Sequence, residues 1–181
     1  MLAPIVSARL VQAMLGLRPS PHLCRPVRTC KEQQIGDFAM TTTPEQNKTI
    51  IRRFFDAWNS RQSDMFDSLM ASDVVRHCEA TPNVKVQSLD QVKEFLRQDC
   101  GIFPDSVQTI KLLIAEGHLV AVWATYEGTQ QGPMGPFPPS SRNVQFDFGA
   151  VFRIQGGKIT EWWVTWDNMT ILRSLGHLPS G

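Results

Sequence analysis

The chain has 181 residues, 42% of them hydrophobic and 19% charged, and a formal net charge of +1, a balance that fits one domain with a tail to spare. The charge is divided unevenly: five cations and no acid lie between Met1 and Lys31, whereas from Thr41 onward 13 Lys and Arg face 15 Asp and Glu. A nearly neutral domain without a Lys/Arg cluster has no electrostatic footprint for a phosphate backbone, so nucleic acid is not an expected partner, and no apolar run reaches the roughly 18 residues of a membrane span.

Residues 1–42 read as leader and linker. MLAPIVSARLVQAMLGLRPSPHLCRPVRTC is Arg-bearing, acid-free and apolar at its start, the composition of a mitochondrial transit peptide, and Arg9 interrupts what would be the apolar region of a secretory signal. The expected localisation is mitochondrial, or cytoplasmic if translation starts at Met40. Cys24 and Cys30 lie in this leader while Cys78 and Cys100 lie far apart in the domain, so no metal-ligand spacing is formed and no metal is expected.

The domain is assigned to residues 43–178. Thr43-Pro44-Glu45 opens a helix with an N-cap Thr and a Pro at the first helical position, and Ile50, Ile51, Phe54, Phe55 and Trp58 follow at three- and four-residue spacing. A second short helix is predicted over Ser63 to Met70, a brief strand over Val74 to Cys78, and a third helix from Ser88, whose Ser-Leu-Asp-Gln start has the form of a capping box. Beyond Pro104 the pattern turns to strands over 107–115, 118–130, 143–155 and 158–167. Gly156-Gly157 between the last two is a hairpin signal, and a turn of helix from Met169 to Leu175 closes the domain. The Pro/Gly-rich stretch Gly132 to Ser141 is either a lid or a stiff connection, and its prolines favour the connection. Helices first and strands afterward predict α+β, an antiparallel sheet covered on one face by helices.

Several short runs, in order, carry a resemblance: Asn47-Lys48, Arg53-Phe54 and Trp58-Asn59, Asp73-Val74-Val75-Arg76-His77, Gly128-Thr129, Pro138 to Val144, Gly157-Lys158-Ile159, and Glu161 to Asp167. From about Asn47 to Leu178 the chain resembles the SnoaL-like polyketide cyclases of the nuclear transport factor 2-like superfamily. The resemblance implies a cone-shaped barrel, three N-terminal helices on a strongly curved mixed, mainly antiparallel sheet enclosing an apolar pocket, and often a homodimer through the sheet. It also implies an acid/base carboxylate at Asp167 working without metal or cofactor. Where many relatives show His, this chain has Trp162 and Gln130.

Strict alternation along the last strand puts Glu161, Trp163, Thr165 and Asp167 on one face and Trp162, Val164 and Trp166 on the other. With the first set facing the pocket, Asp167 is the expected base, raised in pKa by an apolar surround; on local pattern alone, an Asp directly before Asn168 and the closing helix reads equally as that helix's N-cap. His77 and Tyr126 are the candidate donors to an enolate oxygen, with Tyr126, Trp163, Trp58, Trp123 and Gln130 expected to contact substrate. Trp162 and Trp166 are then expected to form a dimer surface. The function expected is a cofactor-independent enzyme that abstracts a proton beside a carbonyl of a hydrophobic small molecule, as a cyclase, isomerase or dehydratase. The alternative is a non-catalytic module that binds a hydrophobic ligand or dimerises on the same fold.

Overall fold

A computed structural model describes residues 42–179; the targeting segment expected over 1–42 lies, but for Thr42, outside these residues. Helix α1 (Pro44–Asn59) starts where its signals place it: the Thr43 side chain accepts from the Gln46 amide while Gln46 reaches back to the Thr43 amide, a complete capping box. A turn of 3-10 helix (Ser63–Met65) leads into the one-turn α2 (Phe66–Leu69), and strand β1 (Met70–His77) follows directly. Helix α3 (Leu89–Ile102) is capped by Ser88, which accepts from the Gln91 amide, but the Gln91 side chain accepts from Gln87 rather than closing a box.

Four strands complete the sheet: β2 (Val107–Glu116), β3 (Leu119–Thr129), β4 (Asn143–Gln155) and β5 (Lys158–Trp166). The order is β1-β5-β4-β3-β2, antiparallel throughout except that β1 runs parallel to β5. Gly156 and Gly157 both take positive φ, +56° and +75°, the conformation that a two-residue turn between twisted strands requires. Helix α4 (Asn168–Ser174) ends the domain. The fold is therefore α+β with helices on one face of an open mixed sheet, as expected.

The inner face is set by aromatic packing. Phe54 of α1 meets Phe66, Phe152 and Trp162 at centroid distances of 5.5, 5.6 and 6.2 Å, and Val120, Val122, Ala124, Tyr126, Phe148, Ala150 and Phe152 present the buried side of β3 and β4. Two asparagines of α1 fix its height over the sheet. Buried Asn47 donates to the Gly117 carbonyl, and Asn59 exchanges two hydrogen bonds of 2.8 Å with the Gln108 backbone. Both belong to the runs that carried the resemblance, and here they are architectural.

On β5 the alternation is right and its sense is reversed. Arg153 pairs with Glu161 but Ile154 pairs with Ile159, so Thr160 is an extra residue, a bulge that shifts the side-chain parity. Ile159 and Trp162, three residues apart, are consequently both buried. Trp162, Val164 and Trp166 turn inward and line the cavity, which removes Trp162 and Trp166 from any dimer surface. Glu161, Trp163 and Thr165 turn outward.

Candidate active site

Between α1, α3, α4 and the inner face of the sheet lies a cavity of about 520 Å³, within the about 300–1,000 Å³ usual for small-molecule sites. Its wall is mainly aromatic and aliphatic, with Phe54, Trp58, Phe95, Phe103, Phe146, Phe148 and Trp166 among the lining residues, and Met134, Gly135 and Phe137 close it from the Pro/Gly loop. That loop is tied down: Gln131 and Gly132 donate to the Ile102 carbonyl at 2.8 and 3.1 Å. A Cβ at Gly132 would meet the Gly101 carbonyl oxygen at 2.2 Å, so only glycine allows this approach. The loop is thus a connection that also roofs the cavity.

Asp99, in the last turn of α3, places a carboxyl in this wall. It accepts from the Tyr126 hydroxyl at 2.9 Å and from the Trp58 indole N–H at 3.4 Å. Although part of the residue remains accessible, its carboxyl lies deep enough that desolvation outweighs these hydrogen bonds. Burial raises its pKa, against the lowering by Tyr126, Trp58 and the more distant Arg61. Tyr126 is itself pushed far up, first by burial and then by the neighbouring Asp99 charge, so its hydroxyl stays protonated and donates.

Asp167 is elsewhere. The strand ends at Trp166, and Asp167 turns out as the N-cap of α4, where one carboxylate oxygen accepts from the Met169 and Thr170 amides at 2.8 and 3.2 Å and the other accepts from the Thr170 hydroxyl at 2.6 Å. The Thr170 bonds, the hydroxyl's first, hold its pKa below the ordinary carboxylate value. This exposed, low-pKa carboxylate contributes a helix cap and not an activated base to the structure.

The other expected site residues divide. Tyr126 and Trp58 line the cavity and meet at Asp99. His77 is on the outer face, its ring stacked on Trp163 at 5.2 Å and its Nε2 2.7 Å from Glu161, whose other oxygen accepts from Arg153. Trp163 is therefore an outer-face residue, because the bulge turned it there. Trp123 is also outside, 45% exposed, donating to Asp147 at 3.3 Å; its parity is opposite to that of Tyr126 and no bulge interrupts β3 between them. Gln130 is fully buried but not in the cavity wall: its amide donates to the Gly132 and Pro138 carbonyls at 3.1 Å and its oxygen lies 2.8 Å from His177 Nε2. It braces the loop and has no group left for a ligand.

Two cavity residues escaped the sequence reading. Asp99 follows Val92, Phe95 and Leu96 at helical spacing, so an acid falls on the apolar face of α3, a legible signal. Arg76 shares parity with buried Val74 on β1 and is only 6% exposed, a placement legible from that parity. Among the described residues no group of three His, Cys, Asp or Glu side chains is placed to hold a metal ion, and no helix is long and apolar enough to cross a membrane.

The profile of the SnoaL-like polyketide cyclases matches residues 48–175. The chain belongs to this family. Solved structures similar to it include AclR from Streptomyces galilaeus, proposed to be a hydroxylase, at 26% identity and a TM-score of 0.66, covering 77% of this chain and 86% of that one. IdmH from Streptomyces antibioticus, proposed to be a polyketide cyclase, shares 26% identity with a TM-score of 0.64 over 72% of this chain and 99% of its own. An LEH-like epoxide hydrolase of M. tuberculosis, at 19% identity and a TM-score of 0.60 over 74% and 92%, shares the fold alone. No curated protein matches the chain. The family supports a cofactor-independent enzyme fold, and the described activities of these neighbours differ from one another.

Proposed function

We propose that the protein is a cofactor-independent enzyme that removes a proton beside the carbonyl of an apolar small molecule, with Asp99 as the base. The observation that carries this reading is the single carboxyl set in an apolar wall, its pKa raised by burial and its orientation fixed by Tyr126 and Trp58. The C–H proton passes to the Asp99 carboxylate, and its electron pair becomes the C=C of an enolate while the carbonyl oxygen takes the charge. Once Asp99 is protonated, the Tyr126 hydroxyl is released to turn toward that oxygen. Closure, isomerisation or elimination from the enolate would then depend on the ligand.

Exchange of α-hydrogen for deuterium tests this without knowledge of the natural substrate. Wild-type protein is incubated in D₂O with 2-decanone, 1-tetralone and 4-phenyl-2-butanone, and isotope incorporation is followed by NMR. Exchange above buffer that is lost in Asp99→Asn supports the reading. Absence of exchange from all three ketones counts against it and favours the second reading, ligand binding without chemistry in the same cavity.

For the outer face we propose a second copy of the chain. Leu112, Ile114, Trp123 and Val151 are exposed there, and the ion pairs Lys111–Asp147 and Arg153–Glu161 border them. A patch carrying both signs at its margins is suited to a two-fold contact, in which each surface meets its own copy. Mitochondrial import is proposed on leader composition alone, and a fluorescent protein fused behind residues 1–42 tests it by colocalisation with a mitochondrial marker.

A further inference from the structure

Arg76 is the second polar feature of the cavity, and the reading of that cavity as a ligand site leaves it unexplained. The residue is 6% exposed and lines the cavity. Its backbone is held by the bridge to Val86, and its guanidinium carbon lies 4.5 Å above the Phe95 ring and 5.7 Å from that of Trp166. By geometry its one side-chain hydrogen bond among the described residues is to the Thr81 hydroxyl, at 3.2 Å, and the Cys78 sulfur is a further, weaker neighbour. No carboxylate among the described residues lies within ion-pair distance of it.

A guanidinium cannot shed its proton in a protein, and it presents five donors in a planar fork. Burial pushes the Arg76 pKa down, with the nearby Cys78 thiol offsetting part of the effect, yet the charge remains. A buried charge without a counter-charge is costly. The two aromatic faces hold the guanidinium in place and leave most of the fork without an acceptor among the described residues.

No hydrogen bond or ion pair joins Arg76 to Asp99. Phe95 neighbours both regions: its ring is 4.5 Å from the Arg76 guanidinium carbon and 5.9 Å from the ring of Trp58, which donates to Asp99. Polar groups at two separated points of an apolar wall fit a ligand that is polar at two separated points.

We propose that Arg76 is an anion-recognition residue and that the cavity takes an apolar carboxylic acid, its carboxylate paired in bidentate fashion with the guanidinium while carbons several bonds away lie beside Asp99. A carboxylate matches the planar fork in geometry and charge, and it supplies a counter-ion that none of the described residues provides. The class of substrate is then an apolar acid carrying a second carbonyl remote from the carboxylate. The anion recognition rests on the cavity being the ligand site and not on Asp99 acting as a base; the second carbonyl rests on both.

Calorimetry on the full chain with decanoate, 4-phenylbutanoate and 2-naphthoate, each against its primary amide, tests the assignment. The expected result is that at least one acid binds wild type about tenfold or more tighter than its amide. Arg76→Gln abolishes that preference, acid and amide then binding within about twofold of each other, and Arg76→Lys, which keeps the charge but not the fork, retains part of it. Circular dichroism shows that each variant is folded; should Arg76→Gln fail to fold, Arg76→Lys decides. The assignment is overturned if no acid binds better than its amide, if the preference survives in Arg76→Gln, or, where Arg76→Lys decides, if the preference there is undiminished from wild type. Because no turnover is read, acid preference without ketone exchange would sink the role of Asp99 alone, and ketone exchange without acid preference the role of Arg76 alone.

Discussion

Replacing Asp99 by Asn and Asp167 by Asn separates the two carboxylates that a catalytic role has to choose between. At position 99 the change preserves volume, and both neighbours can be kept: the amide oxygen accepts from the Trp58 indole N–H, and the amide nitrogen donates to the Tyr126 hydroxyl oxygen, which today donates to Asp99. With both contacts retained in altered polarity, the folded state should shift by no more than about 1 kcal/mol. The proton acceptor is lost outright. A positioned general base contributes about 10²–10⁴-fold, so the exchange rate of a reactive ketone should fall by that factor, about 3–5 kcal/mol in the barrier. At position 167, Asn caps a helix nearly as well as Asp and still accepts from the Met169 and Thr170 amides, so exchange should continue at the wild-type rate. Deuterium incorporation measured by NMR on the two variants side by side decides the matter. Exchange within about threefold of wild type in Asp99→Asn, or a collapse in Asp167→Asn with its helix intact, would refute the assignment of the base.

The raised pKa of Asp99 has a consequence for stability. A carboxyl raised above its ordinary 3.8 holds its proton longer folded than unfolded, so its contribution is fully present below 3.8 and is lost as pH rises through the folded value. Thermal unfolding of wild type against Asp99→Asn should show the variant gaining on wild type as pH rises through that window, and a difference independent of pH would contradict the burial argument. Gln130→Leu leaves the Gly132 and Pro138 carbonyls without their donor and His177 without its partner; urea unfolding should register about 2–4 kcal/mol of lost stability. Trp123→Arg places a bulky charge in the exposed outer patch and should convert a dimer to a monomer by light scattering, with wild-type protein already monomeric being the adverse result.

The resemblance could be read from short runs because several of them are structural: Asn47 and Asn59 pin α1 to the sheet, and Gly156-Gly157 make the last hairpin. Such residues are legible since each answers a local demand for a cap, a turn or a backbone partner. The site was less legible. Tyr126 and Trp58 were found from parity and helical spacing, whereas His77, Trp163, Trp123 and Gln130 lie off the cavity. Asp99 carries a visible signal, an acid on an apolar helix face.

The sequence by itself determined the elements and the alternation within each strand, because side-chain period and capping are properties of a few consecutive residues. It separated Trp162, Val164 and Trp166 from Glu161, Trp163 and Thr165 correctly. Only the tertiary structure decided which set faces inward, since one extra residue at Thr160 reverses parity and its effect appears only in the pairing with β4. Likewise, whether Asp167 continues the strand or caps α4 depends on where the last pairing stops, at Trp166 opposite Phe148. The meeting of Asp99 with Tyr126 and Trp58 joins one strand to two helices far apart in the chain, and only their packing could bring it about.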